Sequence, residues 1–257
     1  MANNNYEFND FVQNYPILFL NSDIPELWQP VLASVLNNKI ESLENIVSHL
    51  REETVEWVPS SEEIWTFTKF CCPCCVKVII VGQDPPCDAS GLAFSSRETI
   101  YDSTVNILDE VKRDIGAENL RPFPREYGNL EYWARQGVLL LNSALTKSIG
   151  GDSHLSIGWQ DITGELIKQL QNSNEKIVFM FWGWYARTLD INVGKIVVND
   201  LCNILKAGHP SSRNDKNDFL GCRHFSQANK WLKQHNIDEI DWCPVPKLCA
   251  HLGDFGE

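Results

Sequence analysis

Asp84, Asn142 and His209 lie far apart in this 257-residue chain, yet each stands directly after an apolar run, where a side chain can do chemistry. An acid can steady a cation or orient a water, an amide can read the edge of a heterocycle, and an imidazole can hold a developing anion. Taken singly, each has an ordinary structural explanation. Asp84 can form a turn, Asn142 can adopt a left-handed turn conformation, and His209 can be a packed loop histidine. Taken together, an acid, an amide and an imidazole on one edge favour a site.

The elements that must position them can be read from the apolar pattern. Residues 78–82 form a β-branched run, too short for a free helix, that stops at Gln83-Asp84-Pro85-Pro86. This reads as a buried strand that delivers a carboxylate onto a loop stiffened by two prolines. Residues 137–142 form a second such run ending on Asn142. A third, at 177–182, ends at Gly183-Trp184, and a fourth, near 203–207, ends at Gly208-His209-Pro210. Between them lie segments of helical period. Residues 25–56 read as two packing helices, Ser103 reads as the N-cap of a helix with Ile107, Leu108, Val111 and Ile115 on its apolar face, and a further helix runs around Ile162, Leu166 and Leu170. Alternating strands and helices predict an α/β fold with a central four-stranded parallel sheet flanked by helices on both faces. The strand ends of such a sheet lie along one edge.

With 43% apolar residues the chain can bury one core, so a single domain over 1–257 is expected, with 1–24 and 246–257 as peripheral extensions. The N-terminus, MANNNYEFND, has no basic head followed by an apolar run, and no stretch is apolar enough to cross a bilayer. An intracellular protein with no membrane partner is expected, in cytoplasm or, in a eukaryotic host, nucleus. Nine cysteines in such a chain read as reduced thiols. The cluster Cys71-Cys72-Pro73-Cys74-Cys75 lacks the wider separation of zinc-binding pairs and reads as a loop of reduced cysteines, so no metal is expected.

The net charge of -12 argues against a polyanionic partner, but its distribution does not. Residues 1–70 carry eleven acidic against three basic side chains, a surface that suits a protein partner. Residues 203–235 carry six basic side chains (Lys206, Arg213, Lys216, Arg223, Lys230, Lys233) against Asp215 and Asp218, a local +4 that can attract phosphate.

The motifs that hold these residues are recognisable. Over roughly residues 27–245 the chain resembles the uracil-DNA glycosylase family, through VIIVGQDP (78–85), WARQGVLLLN (133–142), SH and GW (153–154, 158–159), and GHPS through GCRHFS (208–226). The resemblance implies a monomer that needs no cofactor and hydrolyses the N-glycosidic bond of a nucleotide flipped out of DNA. It implies that Asp84 positions the attacking water and stabilises the sugar cation. Asn142 would read the base edge at N3 and O4, and His209 would hydrogen-bond O2 as the neutral imidazole. Phe94 would stack on the flipped base, the Gln83 backbone would line the pocket, and Ser103 and Ser211 would grip flanking phosphates.

The departures are as specific. A tyrosine and a histidine follow GQDP in the family, and the tyrosine abuts C5 of the base; here Pro86 and Cys87 stand in their place, in a segment about three residues shorter than is usual in the family. The loop before Ser103 has no prolines, the serine expected after Gly183 is Trp184, and the leucine that fills the hole left by the flipped nucleotide corresponds to Arg213. Three readings follow. The chain is a uracil repair glycosylase in which Pro86 replaces the tyrosine's bulk. Or its pocket is open at C5 and takes modified pyrimidines, such as the hydroxymethyl- or glucosyl-hydroxymethylcytosine of phage DNA, in a defence role. Or it is a non-catalytic DNA-binding or protein-interaction relative.

Overall fold

The computed structural model describes residues 6–174, 176–184, 186, 202–212 and 218–247. Its centre is the predicted sheet: β2 (Val78–Gly82), β3 (Val138–Asn142), β5 (Ile177–Trp182) and β6 (Cys202–Ala207), all parallel, in the spatial order β3-β2-β5-β6. Every residue of β2, β3 and β5 is buried, as a sheet covered on both faces requires and as the unbroken apolar runs foretold. The chain leaves β2 towards one side of the sheet and returns from β3 to lay β5 on the other. The strand order therefore reverses at β2, and a crevice opens beyond the carboxyl ends there.

A two-stranded antiparallel ribbon of β1 (Trp57–Val58) and β4 (Lys147–Ser148) lies outside the main sheet. Among the described residues the helices include α1 (Phe8–Asn14), α2 (Pro16–Phe19), α3 (Gln29–Asn38), α4 (Ile40–Glu52), α5 (Asp102–Ile115), α6 (Glu131–Ala134), α7 (Trp159–Ser173) and α8 (His224–Gln234). Helix α7 packs with α3 and α4, and α5 packs with α8, which also touches β5 and β6. Near the N-terminus, Phe11, Leu18 and Phe19 are buried in the common core, with Phe19 stacked on Trp65 at 5.2 Å.

Two expectations are corrected. Ser103 is not the N-cap of α5: the extended Tyr101 precedes a helix that begins at Asp102, so Ser103 lies inside the first turn. The cysteine loop is not fully reduced either. A 3₁₀ turn at Pro73–Cys75 brings the Cα atoms of Cys72 and Cys75 to 5.1 Å, within disulfide range, and the two are bonded; Cys71 and Cys74 remain thiols.

The GCRHFS motif proves to be structural. Glu110 of α5 is fully buried and accepts the backbone N–H groups of Gly221 (2.6 Å) and Arg223 (2.9 Å), while Asp114 accepts the N–H of Ser226 at 2.7 Å. Both acids act as caps for the start of α8, where Arg223 takes a left-handed φ of 55°.

Candidate active site

At the ends of β2 and β3, Gly82 is paired with Asn142 across the ladder, and this register sets the site. A Cβ at Gly82 would lie 2.4 Å from Asn142 Oδ1 and 3.3 Å from Phe94 Cε2, so only glycine lets the amide and the ring approach the same point. Ser143 seals the turn beyond: its N–H and its hydroxyl both donate to the Gly82 carbonyl, at 3.0 and 2.9 Å. Ala144 N–H donates to Gln83 O at 2.9 Å, which fixes the Gln83 backbone, and Gln83 Nε2 donates to Asp84 Oδ2 at 3.0 Å.

Phe94 has a φ of 62°, a region that costs a non-glycine residue about 1–3 kcal/mol. Its carbonyl accepts the Thr104 hydroxyl at 2.7 Å, and Ala93 N–H donates to Leu140 O at 3.2 Å. The half-buried ring stands 5.5 Å from Trp182 and 6.0 Å from His209. Strain held in place by surrounding contacts is the mark of a residue fixed for a task.

His209 packs closely on Gly183, where an added Cβ would lie 3.0 Å from its own. Gly183 has a φ of 93°, which suits glycine at this turn out of β5. His209 Nδ1 accepts the Ser211 N–H at 3.0 Å, so Nδ1 is unprotonated and the ring proton sits on Nε2. Burial holds the His209 pKa below its ordinary value, against the opposing charge of Asp84. The imidazole is therefore neutral and a donor through Nε2.

The phosphate-gripping candidates share a rim. Ser212 Oγ donates to Asp102 Oδ2 at 2.7 Å and Asn106 Nδ2 donates to Pro210 O at 2.7 Å, which ties the first turns of α5, with Ser103, to the loop carrying Ser211. Trp184, beside Gly183, is 71% exposed. Arg213 lies outside the described residues. Beyond Asp84, Pro86 begins a turn closed by Ala89 N–H to Pro86 O at 3.1 Å, with Cys87 exposed at its tip. Asp88 in that turn accepts Thr99 N–H at 2.9 Å and the Tyr101 hydroxyl; burial and Asp88 push the Tyr101 pKa up to about 12, keeping the phenol a donor.

One charged group at the site was not singled out from the sequence. Lys147 Nζ lies 3.3 Å from Asp84 Oδ1. No strand was expected at 147–148; the visible signal was a lysine between two small hydroxylic residues, the pattern of a strand with one side buried. Those hydroxyls belong to a buried chain of bonds around His154. Trp159 Nε1 donates to Thr146 Oγ1 (2.7 Å), Thr146 lies 2.9 Å from His154 Nδ1, Ser148 Oγ lies 3.0 Å from Nε2, and Ser148 donates to Glu53. One proton order satisfies all of it: Thr146 donates to Nδ1, and Nε2 donates to Ser148. That order needs a neutral His154, and burial indeed lowers its pKa despite the opposing pull of Glu53. Glu53 Oε2 comes within 3.1 Å of Nε2 without hydrogen-bond geometry, and we read this as proximity within the network.

Two clusters of metal-ligand type occur among the described residues, and neither is at the strand edge. In one, Cys72 and Cys75 are already bonded to each other. In the other, His49, Glu53 and His154, both ring nitrogens of His154 are engaged by hydroxyls.

Residues 68–233 match the description of the Uracil DNA glycosylase superfamily. The chain belongs to that superfamily. It is 38% identical over 226 residues to the uracil-DNA glycosylase of Escherichia coli O157:H7 (strain EC4115 / EHEC), covering 85% of this chain and 95% of that protein, and equally to that of Salmonella agona (strain SL483). The crystal structure of mimivirus uracil-DNA glycosylase superposes with a TM-score of 0.75 at 25% identity, covering 93% of this chain and 95% of the other. The enzyme from Nitratifractor salsuginis, at 19% identity and a TM-score of 0.56, shares the fold. Membership makes the chain a DNA glycosylase, a hydrolase that acts on DNA. Among the described residues of this glycosylase no helix is long and apolar enough to cross a membrane.

Proposed function

We propose that this glycosylase flips a uracil nucleotide out of DNA and hydrolyses its N-glycosidic bond, leaving an abasic site. The observation that carries the reading is the meeting of Asn142 and Phe94 at Gly82, with His209 facing the same ring and Asp84 two residues beyond. Phe94 stacks on the extruded base and Asn142 reads its N3–O4 edge. His209 donates from Nε2 to O2 as the C1′–N1 bond breaks and charge moves onto the base, a task for which a neutral imidazole is suited because no proton need leave it. Asp84 orients a water towards C1′ and stabilises the sugar cation; the water oxygen bonds to C1′, its proton passes to the carboxylate, and the base departs with the bonding pair. Ser103 and Ser211 contact the flanking phosphates, and Trp184 offers a ring to the neighbouring strand. Retention of the whole catalytic set counts against a non-catalytic relative.

A second reading concerns breadth. The Pro86 turn is tied through Asp88 towards Thr99 and Tyr101, and no phenol follows Asp84-Pro85. This supports a pocket that also admits pyrimidines enlarged at C5, including modified cytosines, since the Asn142 amide can present either its donor or its acceptor. A glycosylase assay on matched oligonucleotides bearing uracil, thymine, cytosine, 5-hydroxymethylcytosine and its glucosylated form, read by alkaline cleavage of abasic sites, tests both. Uracil excision is expected, with turnover on at least one C5-enlarged base. No excision from any substrate would refute the function, and excision of uracil alone would close the pocket.

A further inference from the structure

Strand alternation in Thr146-Lys147-Ser148 turns the two hydroxyls into the buried His154 network and the amine the other way, towards Asp84. The backbone there is held on both sides: Lys147 pairs with Val58 across the β1–β4 ribbon and bridges to Ser153. Lys147 is thus presented from a fixed base with its side chain 31% exposed, while Asp84 is 12% exposed.

A cation in that place works against the chemistry of Asp84. It offsets the carboxylate's attraction for a developing sugar cation and repels that cation directly. The substrate, however, brings anions to the same spot, because the phosphodiesters on either side of the flipped nucleotide are attached to the sugar that Asp84 faces. We propose that Lys147 is a phosphate-binding residue that exchanges partners, holding Asp84 in the free protein and a phosphodiester flanking the flipped sugar in the DNA complex. The inference rests on the glycosylase reading of Asp84. The exchange leaves Asp84 unopposed when the sugar becomes cationic, and adds a charged contact to those of the neutral Ser103 and Ser211. A compact ammonium on a flexible four-carbon stem suits such a swing between two oxygens.

The test compares the full chain with Lys147→Met and Lys147→Arg on an oligonucleotide whose target nucleotide is 2′-fluorinated and resists cleavage. Binding is followed by fluorescence anisotropy from 50 to 200 mM salt. Loss of one phosphate contact lowers the slope of log K against log salt by about 0.7–0.9, so wild-type affinity should fall about 3-fold more than that of Lys147→Met over this range, and Lys147→Arg should restore the slope. A neutral methylphosphonate at one of the two flanking positions should weaken wild-type binding more than it weakens that of Lys147→Met. On cleavable uracil DNA, Lys147→Met should excise more slowly than wild type. An unchanged slope with an unchanged methylphosphonate penalty, or faster excision by Lys147→Met, would overturn the proposal and make Lys147 a brake on Asp84. A wild type that shows the slope difference but excises no base would sink the glycosylase reading and leave the phosphate contact standing.

Discussion

His209 and His154 sit in two regions that looked alike in sequence, each inside a motif and each neutral because burial lowers its pKa. Their surroundings differ. At the β6 end the backbone N–H of Ser211 sets the His209 tautomer and puts the ring proton on Nε2, with the Phe94 ring centroid 6.0 Å from that of the imidazole. At the β4 corner both nitrogens of His154 are consumed by hydroxyls that in turn bind Trp159 and Glu53. The imidazole of His154 is thus committed to the protein itself, whereas that of His209 is the one we propose meets the substrate. The position of each histidine relative to the strand ends decides which.

Substitution should separate the two regions. Removing the donor at the reacting base, His209→Ala should lower the single-turnover excision rate about 10²–10³-fold with the thermal midpoint little changed, measured by rapid quench and calorimetry. The mirror result is expected of His154→Ala: a stability loss of about 2–4 kcal/mol from stranded buried hydroxyls, seen in urea melts, with excision below the melting range within a few-fold of wild type. If His154→Ala loses activity as steeply as His209→Ala while staying folded, the comparison fails.

Smaller effects sharpen it. Gly82→Ala drives a methyl into Asn142 Oδ1 and should raise KM and blur discrimination between uracil and cytosine, about 10-fold or more, while His154 and its network stay untouched. The pH dependence follows from the direction of the His209 shift. Its pKa lies below the ordinary 6.5, so the neutral form persists through neutrality and is lost only as pH falls through the depressed value. The acid limb of kcat should therefore fall below pH 6.5 and be absent in His209→Gln; an acid limb above 6.5, or one that survives the substitution, would show that another group titrates.

Much of the edge was legible because a buried parallel strand is both apolar and short. Residues 78–82, 137–142 and 177–182 could be little else, and Asp84 and Asn142 at the ends of the first two runs, with His209 beyond the fourth, marked the crevice. What escaped detection depends on contacts between segments distant in sequence. Nothing in the local pattern marks Glu110, which is fully buried because the Gly221–Arg223 backbone turns onto it. For Lys147 the alternation of Thr146-Lys147-Ser148 hinted at a strand, but the two-residue ribbon that aims it is too short for that pattern to show its approach to Asp84. The N-cap expected at Ser103 falls two residues earlier, because the extended Tyr101 and not a side-chain cap starts the helix. The disulfide escaped because a 3₁₀ turn, not the spacing of the cysteines alone, brings Cys72 onto Cys75.

The central claim is that the strand-end set performs glycosidic hydrolysis, with Asp84 facing the sugar. Asp84→Asn keeps the shape and removes the charge, so its single-turnover excision of uracil should fall about 10³-fold or more while its affinity for the 2′-fluorinated oligonucleotide stays within a few-fold of wild type. Excision within 10-fold of wild type by a folded, DNA-binding Asp84→Asn protein would contradict the account.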